Sequence, residues 1–203
     1  KVFESFEPHL EPVLREASLV FLANIHPALQ QRVLDQVDSP GFVALDTMNL
    51  WIDIALAELK ALLARLDGLV LNDAEASQLT GEANLVEAAK QICDMGPSFV
   101  VIKKGEHGAF LHHPDGMAVL PAMPLDAAQV VDPTGCGDSF AGGMMGHIAA
   151  TGRTDLPTIR EALAWGTVTA SHTIADFGLA GLQSATDKSM QSRFARFREI
   201  TSF

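Results

Sequence analysis

Basic residues are scarce in this chain. Of its 203 residues, 14 are Lys or Arg against 25 Asp or Glu, a formal net charge of −11. Neutralising nucleic-acid phosphates takes clustered cations, so a general DNA or RNA surface is excluded, and any polyanionic ligand must be held by a local device. Cysteine is almost absent. Cys93 and Cys136 lie too far apart in sequence for a disulfide framework, and this usage suits a reducing, cytoplasmic setting. No apolar run approaches the length of a membrane span, and the first residues do not read as a charged-then-apolar leader. Two nucleotide motifs are also missing. No Gly-Lys pair is followed by Ser or Thr as a Walker A loop requires, and a G-x-G-x-x-G fingerprint starting at Gly135 fails at Phe140.

What is present is a globular pattern: 48% apolar residues, 19% charged and a mean hydropathy of +0.19, enough for one α/β domain. Short apolar runs alternate with amphipathic stretches. Strands are expected over Ser18–Ile25, Phe42–Asp46, Leu69–Asn72 and Phe99–Lys103, and a hairpin over Gly108–Leu120 turning at Pro114-Asp115-Gly116. A further strand is expected to end at Asp132. Helices are expected from Pro27 to about Val37, over about 52–65, 73–79, 84–95, 137–150 and 156–177, and over about 188–200. Alternating strands and helices with unbroken apolar strands predict a doubly wound, mostly parallel sheet covered on both faces. Right-handed crossovers would place the strands' carboxyl ends on one ligand-binding edge. Asn24, Asp46, Asn49, Asn72, Lys103 and Asp132 all fall at such ends.

The segment Val130–Gly143, VVDPTGCGDSFAGG, carries the most chemistry. Pro133 fixes a turn, and Gly135-Cys136-Gly137 opens a helix on small residues. A helix start exposes unsatisfied N–H groups and a partial positive charge, which can close around a phosphoryl oxygen. Asp138, in that first turn, is placed to take a proton from an incoming hydroxyl. An aligned nucleophile, a base and fixed dipoles are what phosphoryl transfer requires.

DPTGCGDSFAGG resembles the second signature of the PfkB, or ribokinase-like, carbohydrate kinases, whose usual form is D-T-x-G-A-G-D-x-F. The likeness extends over about Phe42–Leu182. Asn72-Asp73-Ala74-Glu75 is similar to the family's N-x-x-E motif. Val101–Gly108 (VIKKGEHG) resembles the strand–turn along the nucleotide, and Thr173–Gly178 (TIADFG) the segment closing its pocket. The resemblance implies ATP-dependent transfer to a hydroxyl of a sugar or sugar-like small molecule. It makes Asp138 the catalytic base and the amides of Gly135, Cys136 and Gly137 an anion hole. It sets Asn72 and Glu75 at a water-mediated Mg²⁺ and phosphate site, and it lines the nucleotide with Lys103, Gly105 and Gly108. In many relatives the positions of Asp132 and the Thr134 carbonyl hold a monovalent cation, which here would be K⁺. The alternative is a nucleotide-binding module or inactive fragment without catalysis.

Some positions depart from the family pattern. Pro133 stands for the usual Thr and Lys103 for the Thr of many relatives, so Lys103 or Lys104 is a candidate phosphate contact. Cys136 replaces Ala at the anion hole, either as a small filler or as a thiol activated by the helix start. Asp46 and Asn49 resemble the D-x-N step that some sugar-acid kinases use at their substrate, without the Arg that often follows. Trp51 is expected to pack at the domain's edge, with an aromatic ligand wall as the other reading. Asn24 and His26 end the first strand on the ligand-binding edge, where substrate contact is the functional reading. His112-His113 lacks further ligands at metal spacing. The family's amino-terminal Gly-Gly motif and β lid have no counterpart before Val20, and Lys1–Pro8 reads as the lid's tail. The expectation is a single ribokinase-like domain over residues 1–203 lacking that region, with an uncovered sheet edge that favours a homodimer and no nucleic-acid or membrane partner.

Overall fold

A computed structural model describes residues 5–202; of the Lys1–Pro8 segment, residues 1–4 lie outside those described. The chain resolves into two compact units, Lys1–Ile102 and Lys103–Phe203. Six strands form a mixed sheet in chain order with helices on both faces, as the alternating pattern predicts.

The first unit opens with a short helix α1 (Pro12–Arg15), strand β1 (Leu19–Leu22) and helix α2 (Pro27–Leu34). Pro27 occupies the first turn, where its missing N–H costs nothing, and His26 caps the helix through its ring nitrogen. Strand β2 (Phe42–Asp46) is buried at every position. The single helix expected next is two, α3 (Asn49–Ile54) and α4 (Leu56–Leu63). The break falls at Ala55, which is buried and takes φ −142° and ψ 35° with no Gly or Pro to announce it. Strand β3 (Gly68–Asn72) leads directly into α5 (Asp73–Thr80), followed by α6 (Leu85–Cys93) and β4 (Phe99–Lys103).

β1 pairs with β2, and β2 with β3, in parallel register. Asp67 ties this part of the sheet together. Its N–H and side chain bond the Val43 carbonyl and N–H, and its own carbonyl accepts the N–H groups of Ser98 and Phe99. At Gly68 a side chain would run into the Phe99 ring, which itself stacks on Phe42 at 6.1 Å. The unit's core is aliphatic, with Leu45, Leu59, Leu62, Leu63, Leu69 and Leu71 fully buried.

In the second unit, β5 (Ala109–His113) and β6 (Gly116–Leu120) form the expected antiparallel hairpin. Two long helices follow, α7 (Cys136–Thr151) and α8 (Leu156–Thr173), then a short α9 (Ala180–Gln183) and α10 (Asp187–Thr201). α7 and α8 approach closely. Gly143 and Gly166 lie where side chains would strike Thr169 and Phe140 respectively. α10 seals the pair from outside, with Phe194 stacked on Trp165 at 4.1 Å.

Two expectations are corrected here. No strand forms over Gln129–Asp132. Val130 and Val131 are half exposed, and the N–H groups of Val131 and Asp132 both go to the Ile174 carbonyl instead of to a neighbouring strand. The same bonds explain why α8 stops at Thr173 and not near Phe177: the Ile174 carbonyl is spent on the loop. Among the described residues no helix is long and apolar enough to cross a membrane.

Candidate active site

In the second unit, the residues of the Gly-rich turn gather around the start of α7. Gly135 takes φ +81°, the left-handed conformation glycine supplies without strain, and no side chain caps the helix. Of the N–H groups at this start, that of Cys136 goes to the Pro133 carbonyl at 3.1 Å, and no side chain claims the others as a cap. Gly135, Cys136 and Gly137 are partly exposed and Asp138 is exposed, so the turn faces an opening and not packing. The Lys103 Nζ, at the end of β4, stands 3.2 Å from where a Gly137 Cβ would be. The ammonium adds to the positive charge at the start of the helix.

The loop entering this turn is tied to the end of α8. Besides the two bonds to Ile174, the Thr173 hydroxyl donates to Ser139 Oγ at 2.7 Å, and the Cys136 thiol donates to the Ala170 carbonyl at 3.7 Å. Thus the segment Thr173–Gly178 lies beside the turn, and the exposed apolar side chains of Val131 and Phe177 belong to these joined segments. Sequence reasoning gave no role to Val131, and it met Phe177 only within TIADFG, the segment resembling the one that closes the nucleotide pocket. Two exposed apolar residues bordering a glycine turn are the signal that could have found them.

Asp132 accepts the Thr134 N–H at 2.9 Å. That bond, with the Thr134 hydroxyl and then the Gly178 N–H, holds its carboxyl below the usual range. The Cys136 thiol moves the other way. Burial, and then the charge of Asp132, raise its pKa, which favours Cys136 as a small filler over an activated thiol. Gly105, at φ +54°, has open space around its Cα. Gly108, at φ +87°, is pressed against the Leu120 carbonyl, so the hairpin itself demands glycine there.

In the first unit, Asn72 and Glu75 form a reciprocal capping box. The Asn72 Oδ1 accepts the Glu75 N–H and the Glu75 Oε2 accepts the Asn72 N–H, each at 2.8 Å. Glu75 is buried, and its carboxylate is thereby fixed at the carboxyl end of β3. Metal contact through water suits this donor set, because both groups are already engaged with backbone and magnesium retains most of its waters. Among the described residues no three His, Cys, Asp or Glu side chains gather as a metal cage. Asp46 is buried at the end of β2 and Asn49 is exposed at the start of α3. The Asn49 carbonyl accepts from Gln78 of α5 at 3.3 Å.

The α/β sheet with its glycine turn, uncapped helix start and neighbouring lysine has a ribokinase-like fold. The family comparison agrees: residues 2–185 match the model of the pfkB family carbohydrate kinase, and the chain belongs to that family. It is 36% identical over 88 residues to a cytidine kinase of Thermococcus kodakarensis, covering 43% of this chain and 31% of that protein. It is 34% identical over 129 residues to a bifunctional ribokinase/ribose-5-phosphate isomerase A of Fructilactobacillus sanfranciscensis, covering 61% of this chain and 22% of that protein. Among solved structures, aminoimidazole riboside kinase from Salmonella enterica, complexed with aminoimidazole riboside and an ATP analog, superposes with a TM-score of 0.72 at 18% identity. That match covers 87% of this chain and 62% of the other. A putative ribokinase II from E. coli in complex with ATP and Mg²⁺ gives 0.73 at 17% identity, covering 91% and 60%. At such identity these two likenesses speak for the fold. The match spans less than a third of each of these two curated relatives.

Proposed function

We propose that this chain carries out ATP-dependent transfer of the γ-phosphoryl group to a hydroxyl of a sugar or sugar-like small molecule, and that it works as one kinase domain. The observation that carries the reading is the Lys103 ammonium set over Gly137, at an uncapped helix start whose first turn bears the exposed Asp138. Family membership and relatives named for cytidine, aminoimidazole riboside and inositol support the same class of reaction.

In this reading Asp138 accepts the proton of the acceptor hydroxyl as its oxygen bonds to the γ-phosphorus, while the bond from that phosphorus to the β,γ-bridging oxygen breaks and ADP leaves. The N–H groups of Gly135, Cys136 and Gly137, with Lys103, take up the charge on the oxygens of the transferred group. Dipoles already fixed by the fold need not reorganise during the reaction. Gly105 and Gly108 shape the turn along the nucleotide, and Val131 and Phe177 offer its base an apolar surface. Asn72 and Glu75 would hold Mg²⁺ through water, and the ion would supply positive charge for nucleotide phosphates. Asp132, held anionic, and the Thr134 carbonyl form the monovalent cation site, where K⁺ would stiffen the turn. Neither Cys93 nor Cys136 forms a disulfide, which suits a reducing cytoplasm as the setting.

The test measures MgATP binding by calorimetry and ADP release against ribose, fructose, a hexose phosphate, a sugar acid and a nucleoside, all on the same sample of the full chain. Binding with release for one acceptor class is expected. Failure to bind MgATP contradicts the reading, and binding without release for any acceptor favours a nucleotide-binding module.

A further inference from the structure

The carboxyl end of the first unit's strands carries a second cluster that phosphate chemistry leaves unused. Asn24, two residues past β1, accepts the Trp51 indole N–H at 2.7 Å and directs its own amide nitrogen to the Met48 sulfur at 3.1 Å. The His26 ring meets the indole edge-on, with centroids 5.1 Å apart and planes inclined by 61°. His26 is itself fixed, since its Nδ1 accepts the Ala28 N–H. Trp51 is half-buried on α3, between the exposed Leu50 and Ile54. Just before it, Thr47 is 6% exposed and its hydroxyl has no hydrogen-bond partner. Because β1, β2 and β3 run parallel, these residues share one edge with Asn72 and Glu75 of the same unit.

This arrangement selects among ligand chemistries. The single indole donor is spent on Asn24, whose amide also reaches Met48, so the cluster offers a rigid π-face. Its neighbours Met48, Leu50 and Ile54 are apolar. A bare sugar needs several converging donors and acceptors, whereas a planar heterocycle needs a fixed aromatic ring in apolar surroundings. A buried hydroxyl without a partner is costly, and a ligand group can satisfy it.

The geometry points to a nucleoside as the acceptor, its base stacked on the Trp51 indole and one polar group hydrogen-bonded to the Thr47 hydroxyl. This inference rests on the phosphotransfer reading above and names the acceptor class for it. Asn24 and His26 are positioning residues that hold the indole.

The chain has two tryptophans and no tyrosine, so Trp165→Phe leaves Trp51 as the sole strong emitter. In that background, cytidine and inosine are expected to quench the emission saturably, and ribose and fructose to leave it unchanged. By calorimetry, Trp51→Leu should weaken cytidine binding about ten-fold, the scale of one lost base–aromatic stack, and Trp51→Phe should recover most of it. Thr47→Val should weaken cytidine binding while leaving the thermal midpoint equal or higher, an outcome that a purely structural hydroxyl would not give. MgATP binding, read in the same samples, should be unaffected by all three changes. Quenching by the sugars but not the nucleosides, or equal cytidine affinity in Trp51→Leu, overturns the nucleoside assignment. So does MgATP binding with no nucleoside binding, and in that case phosphotransfer still stands. Loss of MgATP binding in the unmodified chain counts against phosphotransfer, and the quenching result then decides the aromatic wall independently.

Discussion

The Lys103 ammonium lies 3.2 Å from the point where a side chain on Gly137 would begin. Glycine there leaves room for a cation at the head of α7, and the two residues, 34 positions apart in the chain, together shape the place proposed for the transferred phosphoryl group.

Gly137→Ala separates fold from function. The added methyl meets only the far end of a flexible lysine, and alanine is favoured over glycine in a helix by roughly 1 kcal/mol. Thermal unfolding should therefore be unchanged or later. Acceptor-dependent ADP release should fall, because Lys103 is pushed aside. An earlier melt, or full activity, would count against this role for the pair.

The Asn72–Glu75 box predicts a split between stability and metal dependence. Asn72→Ala removes an N-cap and should cost about 1 kcal/mol in denaturant unfolding. Glu75→Gln keeps an oxygen for the Asn72 N–H, so its stability should stay close to that of the parent. Its Mg²⁺ requirement should rise, visible as a shifted Mg²⁺ titration of ADP release. An unshifted titration would remove Glu75 from the metal region.

Both thiols should be sluggish. Burial and the neighbouring Asp94 push Cys93 up to about 11, and burial and then Asp132 raise Cys136. The thiolate is the reactive form, so alkylation by iodoacetamide at neutral pH should be slow at both sites by mass spectrometry. Mild oxidant should leave the activity of the parent and of Cys136→Ala equally little changed. Rapid labelling of Cys136 would reverse the filler assignment.

His172 predicts a loss of stability in acid. It is buried near the end of α8 with no partner for its Nε2, and burial, then the charge of Arg193, hold its pKa below the ordinary 6.5. The unfolded chain takes up a proton below about that pH which the folded chain resists, so stability rises with pH through this window. The contribution is fully present above the ordinary imidazole value and declines as pH falls beneath it. His172→Gln should flatten that slope in urea unfolding at a series of pH values; an identical slope would assign the acid sensitivity elsewhere.

Much of this was legible in the sequence, where local chemistry decides. β2 and β4 have the expected bounds because continuous apolar runs fit only buried strands. The starts of α5 at Asp73 and of α7 after Gly135 follow from residue types that act on their own backbone. The missed features depend on distant partners. Val130–Asp132 looks like a strand, but its N–H groups meet a helix-end carbonyl some forty positions away. The break at Ala55 and the bond between Asn24 and Trp51, 27 residues apart, likewise depend on packing that periodicity does not encode.

The central claim is that Asp138, at the head of α7, deprotonates the acceptor. Single-turnover ADP release by Asp138→Asn, beside calorimetric MgATP binding in the same preparation, tests it most directly. Turnover should fall by several powers of ten with nucleotide affinity nearly intact, and near-parental turnover in that variant would contradict the account.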